Sequence, residues 1–211
     1  MLKGVGKTGR AAAAALGWLL VATAAQAAQA APAIYQSPKI ILKTFAKSVK
    51  TIPGGVSFRL KSGRWLDVID RPLVKDVSVL CLYAPTLHAA ALCETDGETT
   101  VTVLIDLNTG RKTVAPGRPT VLDGGKLIAI GPSGKYVADS LTLVRVGPDD
   151  LADEGGALFD DDFGPGSWAD AGCYRMKAKK AGPDGWLEKT ASGWSQVAAG
   201  SSSACAKRHG G

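Results

Sequence analysis

The sequence predicts a mainly β protein, built as an antiparallel sandwich or open sheet, with a small disulfide-bridged segment at its C-terminal end. Between residues 31 and 148, short apolar or alternating runs recur about every eight to twelve residues, with glycine-containing turns between them. Only residues 38–50 suggest a short helix, or else an entry strand. Four cysteines in an exported chain are most simply paired as two disulfides.

The first thirty residues have the arrangement of an export signal. A basic start precedes an apolar run over residues 11–25, and small residues then suit cleavage after Ala27 or Ala30. The run is shorter than a membrane-spanning helix, which needs about twenty residues. We therefore predict a cleaved signal over residues 1–30, and a periplasmic or secreted protein with no membrane anchor after cleavage. The alanine-rich signal and the lack of an Asn-x-Ser/Thr site favour a bacterial periplasm.

Residues 31–148 are predicted to form one all-β domain. Its clearest hairpin joins the apolar runs 56–60 and 65–69 through the turn Lys61-Ser62-Gly63-Arg64. Aliphatic or alternating runs predict the further strands, which cover residues 77–84, 88–94, 99–107, 126–130 and 141–146.

The spacing of the cysteines favours one of the three pairings that the sequence permits. In a symmetric hairpin of residues 77–84 and 88–94, positions 81 and 93 lie equally far from residue 87 and face each other. This predicts a disulfide between Cys81 and Cys93, which leaves Cys173 to pair with Cys205.

Charge divides the mature chain into three parts. Residues 31–148 carry fifteen basic and nine acidic side chains, residues 149–164 seven acidic and no basic ones, and residues 165–211 seven basic and three acidic ones. Like-charge repulsion and glycines make residues 149–164 typical of a solvated acidic linker. Its carboxylates could instead bind calcium, but the ligand pattern of an EF-hand is missing, and no metal site is predicted.

Residues 165–211 are predicted to form a small, tryptophan-rich and basic C-terminal segment. Aromatic and basic side chains of this kind dominate binding hot spots, and they predict an exposed surface that recognises a partner. Alternatively, the aromatic side chains dock the segment onto the β domain around the second disulfide, because so short a segment cannot bury them alone. The candidate binding residues are Trp168, Tyr174, Arg175, Lys177, Trp186 and Trp194.

Two stretches carry a family resemblance. Residues 119–130, Pro-Thr-Val-Leu-Asp-Gly-Gly-Lys-Leu-Ile-Ala-Ile, resemble the inner hairpin of a β-propeller blade of the WD40 or TolB-like kind. Residues 104–110, Leu-Ile-Asp-Leu-Asn-Thr-Gly, are similar to the outer strand that ends such blades. The resemblance implies blade-like hairpins on a binding platform, and it transfers no catalytic residue. A closed ring within one chain is not expected, because it needs at least four blades of roughly 40 residues; the alternative is a ring completed by association.

Sequence motifs for catalysis are missing. The chain has two histidines, His88 and His209, and neither His-Glu-x-x-His nor Gly-x-Ser-x-Gly occurs. We therefore predict no catalytic residue and no cofactor. The predicted function is an envelope interaction protein, such as an inhibitor, an immunity-like protein or an adaptor, whose partner is an envelope protein or glycan.

The charge argues against one other function class, and two alternatives remain open. Removing the signal lowers the formal net charge from +6 to +3 and leaves the basic residues spread along the chain, which argues against nucleic-acid binding. An envelope hydrolase is an alternative, because two carboxylates could converge without leaving a motif. A purely structural secreted domain is the other. The carboxylates considered for the hydrolase are Asp67, Asp70, Asp76, Glu94, Asp96 and Asp106.

Overall fold

The computed structural model describes residues 32–69, 79–132, 138–159, 162–198 and 203–209. Helix α1 (Pro38–Thr44) precedes sheet I, which contains β1 (Val49–Ile52), β2 (Gly55–Arg59) and β3 (Trp65–Ile69). Sheet II contains β4 (Val79–Ala84), β5 (Ala89–Asp96), β6 (Thr99–Asp106) and β7 (Lys112–Pro116). Sheet III contains β8 (Arg118–Leu122), β9 (Leu127–Gly131), β10 (Ser140–Val146) and β11 (Leu151–Leu158). Sheet IV contains β12 (Phe163–Asp170), β13 (Cys173–Ala178), β14 (Gly185–Thr190) and β15 (Gly193–Val197), and helix α2 (Ala204–His209) follows.

The predicted fold class is confirmed: the protein is mainly β, with four open antiparallel sheets. Each sheet is a meander of strands that are consecutive in the chain. The region predicted as a short helix or entry strand contains α1 and the start of β1. The predicted signal, residues 1–30, lies outside the described residues. None of the helices in the described ranges has the length and apolar character needed to span a bilayer.

Apolar side chains fill the space between each sheet and the next, in chain order. Because sheets II and III are buried on both faces, their central strands are continuous apolar runs rather than alternating ones. In β5, for example, Ala90 and Leu92 face sheet I, whereas Ala89, Ala91 and Cys93 face sheet III. The three cores between the sheets contain, in order, Phe58 with Leu92, Leu104 with Ile128, and Leu143 with Met176.

One glycine connects sheets II and III. Gly117 alone separates β7 from β8, so a single run of chain forms an edge of both sheets. Its φ of 102° is in the region that favours glycine, and a Cβ at this position would overlap the main chain of Gly131. The Gly117 N–H donates to the carbonyl of Thr100 at 2.7 Å, and its carbonyl accepts from the Thr102 hydroxyl at 2.6 Å. These contacts fix the bend.

Both predicted disulfides are present, Cys81–Cys93 and Cys173–Cys205, each with a Cα–Cα distance of 5.7 Å. The symmetric register predicted for the first hairpin is wrong, because Val79 lies opposite Cys93. The register shifts between Leu80 and Leu82, which indicates a β-bulge at Cys81. The bulge places Cys81 on the face of sheet II that Cys93 also occupies, within the core shared with sheet III.

The segment predicted as a solvated acidic linker, residues 149–164, instead contains β11 and the start of β12. Leu151 and Ala157 are buried in the cores on either side of sheet III. Their apolar contacts stabilise the strand, and the many acidic residues of the sequence obscured them. Asp153 is exposed on this edge strand, where charge discourages edge-to-edge aggregation, whereas Glu154 is half-buried and accepts a hydrogen bond from the Trp194 indole N–H at 3.4 Å. Three acidic side chains of the segment meet basic partners elsewhere in the chain, in the pairs Asp149–Lys61, Glu154–Arg145 and Asp162–Lys180.

Candidate binding surfaces

The six candidate binding residues of the C-terminal segment divide between the two faces of sheet IV. Trp168, Tyr174 and Trp194 face sheet III and belong to the core between sheets III and IV. Tyr174 is only 2% exposed, and its ring centroid lies 5.0 Å from that of Trp168. The Trp168 and Trp194 rings make an edge-to-face contact at 5.9 Å. These three side chains dock the C-terminal segment onto the rest of the protein.

The other three candidates lie on the outer face of sheet IV, which α2 partly covers. Trp186 is 3% exposed, and the His209 ring of α2 stacks on it at 5.9 Å. Arg175 pairs with Asp184 at 2.8 Å and is exposed, as is Lys177. The structure therefore does not bring the six residues together on one exposed aromatic and basic surface.

Two carboxylates hold α2 against sheet IV. Glu188 accepts hydrogen bonds from the Ser203 hydroxyl and from the N–H groups of Ala204 and Cys205. Asp170 accepts from the Gly172 N–H at 2.7 Å and from Arg208 at 2.9 Å, and the His209 Nε2 lies 2.8 Å from the same carboxylate. The disulfide between Cys173 and Cys205 lies between these two anchors.

Asp170, Cys173 and His209 place three potential ligand atoms within 4.8 Å of one another. The Cys173 sulfur is bonded to Cys205, so it has no thiolate to offer a metal ion. The group is therefore better explained as part of the anchor for α2.

The same contacts lower the pKa of both anchoring carboxyl groups. Burial raises the pKa of Asp170, but the hydrogen bonds from Gly172, His209 and Arg208 outweigh it and bring the pKa to about 2. For Glu188, burial is likewise outweighed by the hydrogen bonds from Ser203, Cys205 and Ala204, and the pKa is lowered. Both carboxylates therefore stabilise the docked helix only while they are ionised.

Acidification is expected to release α2 before the sheets unfold. Because the folded pKa values are lowered, the stabilisation is present above the ordinary values of 3.8 for Asp170 and 4.5 for Glu188. The contribution of Asp170 is lost as the pH falls through about 2, and that of Glu188 is lost below its ordinary value. The NMR resonance of the Trp186 indole N–H should shift over this range. Asp170→Asn and Glu188→Gln should weaken the transition, and simultaneous loss of all the sheets would contradict it.

The described carboxylates of the hydrolase alternative lie on two sheets. Asp67 in sheet I accepts a hydrogen bond from the Ser57 hydroxyl at 2.6 Å. In sheet II, Asp106 is 2% exposed and accepts from donors in its own turn, Glu94 is buried, and Asp96 is exposed at the end of β5. Asp70 and Asp76 lie outside the described residues.

The outer face of sheet I carries five exposed side chains that we call the basic face, Lys50, Arg59, Trp65, Asp67 and Ile69, with the buried Ser57 between them. The strand register places Arg59 opposite Trp65, and Ser57 between Lys50 and Asp67. The Lys50 Nζ lies 4.2 Å from the centroid of the Trp65 ring, in a cation–π contact. Trp65 is 37% exposed and Ile69 is 64% exposed. An aromatic ring, two cations, one carboxylate and an aliphatic side chain are thus presented on one face.

The chain around this face is strongly basic. Residues 31–66 contain seven basic side chains and no acidic one, and all seven are exposed: Lys39, Lys43, Lys47, Lys50, Arg59, Lys61 and Arg64. Within the described residues, Lys61 alone of these seven has an ion pair, with Asp149 at 3.6 Å. Six of the seven basic side chains thus form no ion pair with the described part of the chain. The excess of basic residues over 31–66 can be read from the sequence, but it is hidden when residues 31–148 are counted together.

Comparisons with protein-family models, with curated proteins and with solved structures found no match. The geometry of this chain is therefore what supports a function.

Proposed function

We propose that the protein is exported to the bacterial periplasm, or secreted, and binds an envelope protein or glycan without catalysing a reaction. The N-terminal sequence and the two disulfides support the location. The surface that binds the partner is the basic face, rather than the tryptophans of sheet IV.

One observation carries this proposal: Trp65 is exposed beneath Lys50 on the outer face of sheet I. At the other end of the row of sheets, Trp186 is covered by α2 and is not available to a partner. Trp and Arg are the residues most enriched in binding hot spots, and Arg59 lies directly opposite Trp65. The surrounding excess of positive charge selects a partner that presents acidic groups.

Variants of the basic face test the proposal. The oxidised protein, purified after export, is used to capture partners from a periplasmic and cell-wall extract of its host, read by mass spectrometry. Trp65→Ala and the double variant Lys50→Glu, Arg59→Glu should each weaken capture by at least about tenfold, a loss typical of one hot-spot residue. Because these side chains are exposed, the variants should keep the melting temperature of the parent.

Lys177→Glu is the matched control, since Lys177 is an exposed basic residue on sheet IV. It should leave capture unchanged. Loss of capture on Lys177→Glu alone would place the binding surface on sheet IV instead. If no form of the protein enriches a partner, the result would contradict a binding function and favour a structural domain.

A further inference from the structure

A pocket of ≈ 270 Å³ lies where the ends of sheets I and II meet. Its walls include Ser48, Arg59 and Lys61 from the sheet I side, and Tyr83 and His88 from the sheet II side. Arg59 also belongs to the basic face, so the pocket adjoins the surface proposed above for binding.

The pocket wall contains basic and hydrogen-bond-donating side chains that suit an anion. Arg59 offers a planar set of N–H donors that matches oxyanions, and Lys61 adds an ammonium group. Burial raises the pKa of Tyr83, which is hydrogen-bonded to Ser48, so its hydroxyl keeps its proton and can donate. None of the described residues that line the pocket is acidic. Among the described residues, Asp149 contacts Lys61 at 3.6 Å, and because the Asp149 side chain is 87% exposed, this pairing has a small energy in solvent.

The backbone of His88 gives a second, independent observation. Its φ of 52° and ψ of 33° put it in the left-handed region, which glycine and asparagine occupy more readily. The His88 carbonyl accepts a hydrogen bond from the Leu107 N–H at 2.7 Å, so the conformation is held by the neighbouring turn. A histidine at such a position sacrifices stability and keeps an imidazole in the pocket wall, which is typical of a functional site.

We propose that this pocket binds a phosphate monoester carried on a sugar. Arg59, Lys61 and His88 contact the phosphate, and Trp65, opposite Arg59 on the basic face, contacts the sugar ring. The inference rests on the proposed function for the origin of the ligand, an envelope glycan. The phosphate subsite itself is testable without that partner.

The test is an NMR titration of the oxidised protein with sodium phosphate and with glucose 1-phosphate, at an ionic strength kept constant with sodium chloride. Phosphate should bind with a Kd on the order of 1 mM. Glucose 1-phosphate should bind about tenfold more tightly, and Trp65→Ala should remove that gain while leaving phosphate binding unchanged. Two further titrations use glucose and anionic phospholipid vesicles. They test whether the sugar alone or a membrane headgroup binds in place of the phosphate monoester.

Charge-neutralising variants decide whether the pocket is responsible. Arg59→Gln and Lys61→Gln should each weaken phosphate binding by about tenfold, whereas Lys39→Gln, an equal change of charge on α1, should not. Asp149→Asn should tighten binding, because it frees Lys61. His88→Asn should weaken phosphate binding several-fold while leaving the melting temperature unchanged or higher, since asparagine suits the left-handed conformation.

Equal phosphate affinity in the parent, Arg59→Gln and Lys61→Gln proteins would overturn this inference, as would resonance shifts that chloride alone reproduces. Preferential binding to phospholipid vesicles would identify a membrane headgroup and also overturn it. In either case, loss of partner capture on Trp65→Ala would leave the proposed function standing. Phosphate binding without any partner capture would support the pocket and contradict the proposed function.

Discussion

Gly117→Ala is expected to destabilise the protein by more than about 3 kcal/mol, or to prevent folding, because backbone strain and overlap act at the same atom. An alanine at this position would have to adopt a φ of 102°, and its methyl group would overlap the main chain of Gly131 in β9. Main chain at this position cannot move away without breaking the pairing of β8 with β9. The bend that lets one run of chain form an edge of two sheets would be lost.

Urea unfolding of the oxidised protein measures this effect. Gly97→Ala is the matched control, because Gly97 also has a positive φ, of 59°, but a Cβ there meets no atom within 4 Å. The control should lose only about 1 kcal/mol, the ordinary penalty of an L-residue in this region. Equal losses in the two variants would show that the contact with Gly131 is unimportant.

Asp106→Asn is expected to lower the free energy of unfolding by about 3 kcal/mol, because a buried charged acceptor is replaced by a group that cannot satisfy the same donors. The Asp106 carboxylate accepts from the N–H groups of Asn108 and Thr109, at 2.8 and 3.3 Å, and from the Thr109 hydroxyl at 2.7 Å. It also accepts from the Leu151 N–H at 3.2 Å, which connects the β6–β7 turn of sheet II to the first residue of β11 in sheet III.

Denaturant unfolding with Asp149→Asn as the control isolates this contribution. Asp149 is an exposed carboxylate whose pairing with Lys61 is a surface salt bridge, so its loss should change stability by no more than about 1 kcal/mol. A loss in Asp106→Asn as small as in the control would mean that solvent replaces the lost acceptor. Such a result would also reopen the question of whether the Asp106 carboxylate is available for other chemistry.

Features determined by nearby residues could be predicted from the sequence. The hairpin around residues 61–64 and the pairing of Cys81 with Cys93 depend on a turn and on residues within a few positions of it. The bulge at Cys81 could not be predicted, because it depends on which face of sheet II packs against sheet III. Strand β11 was missed for a related reason: the Arg145 and Lys61 side chains that pair with its acidic region lie elsewhere in the chain.

The positions of the aromatic residues show the same limit. Strand alternation alone does not determine whether residues 174 and 186 lie on the same face of the sheet, because the turn between β13 and β14 determines the register. The structure pairs Tyr174 with Leu187, and Arg175 with Trp186, so the two aromatic residues lie on opposite faces of sheet IV. The basic face was not predicted from the sequence because Trp65 and Lys50 come together only when β1 and β3 pair with β2.

The order of the disulfides along the chain has a consequence for how the protein matures. Each bond joins consecutive cysteines, with sequence separations of 12 and 32 residues, so neither loop encloses a cysteine of the other pair. During the export proposed above, a chain that emerges N-terminus first exposes Cys81 and Cys93 before the other two, and closing short loops costs the least entropy. Oxidation in order of emergence thus gives the native bonds directly. We expect maturation to require a thiol oxidant but no disulfide isomerase.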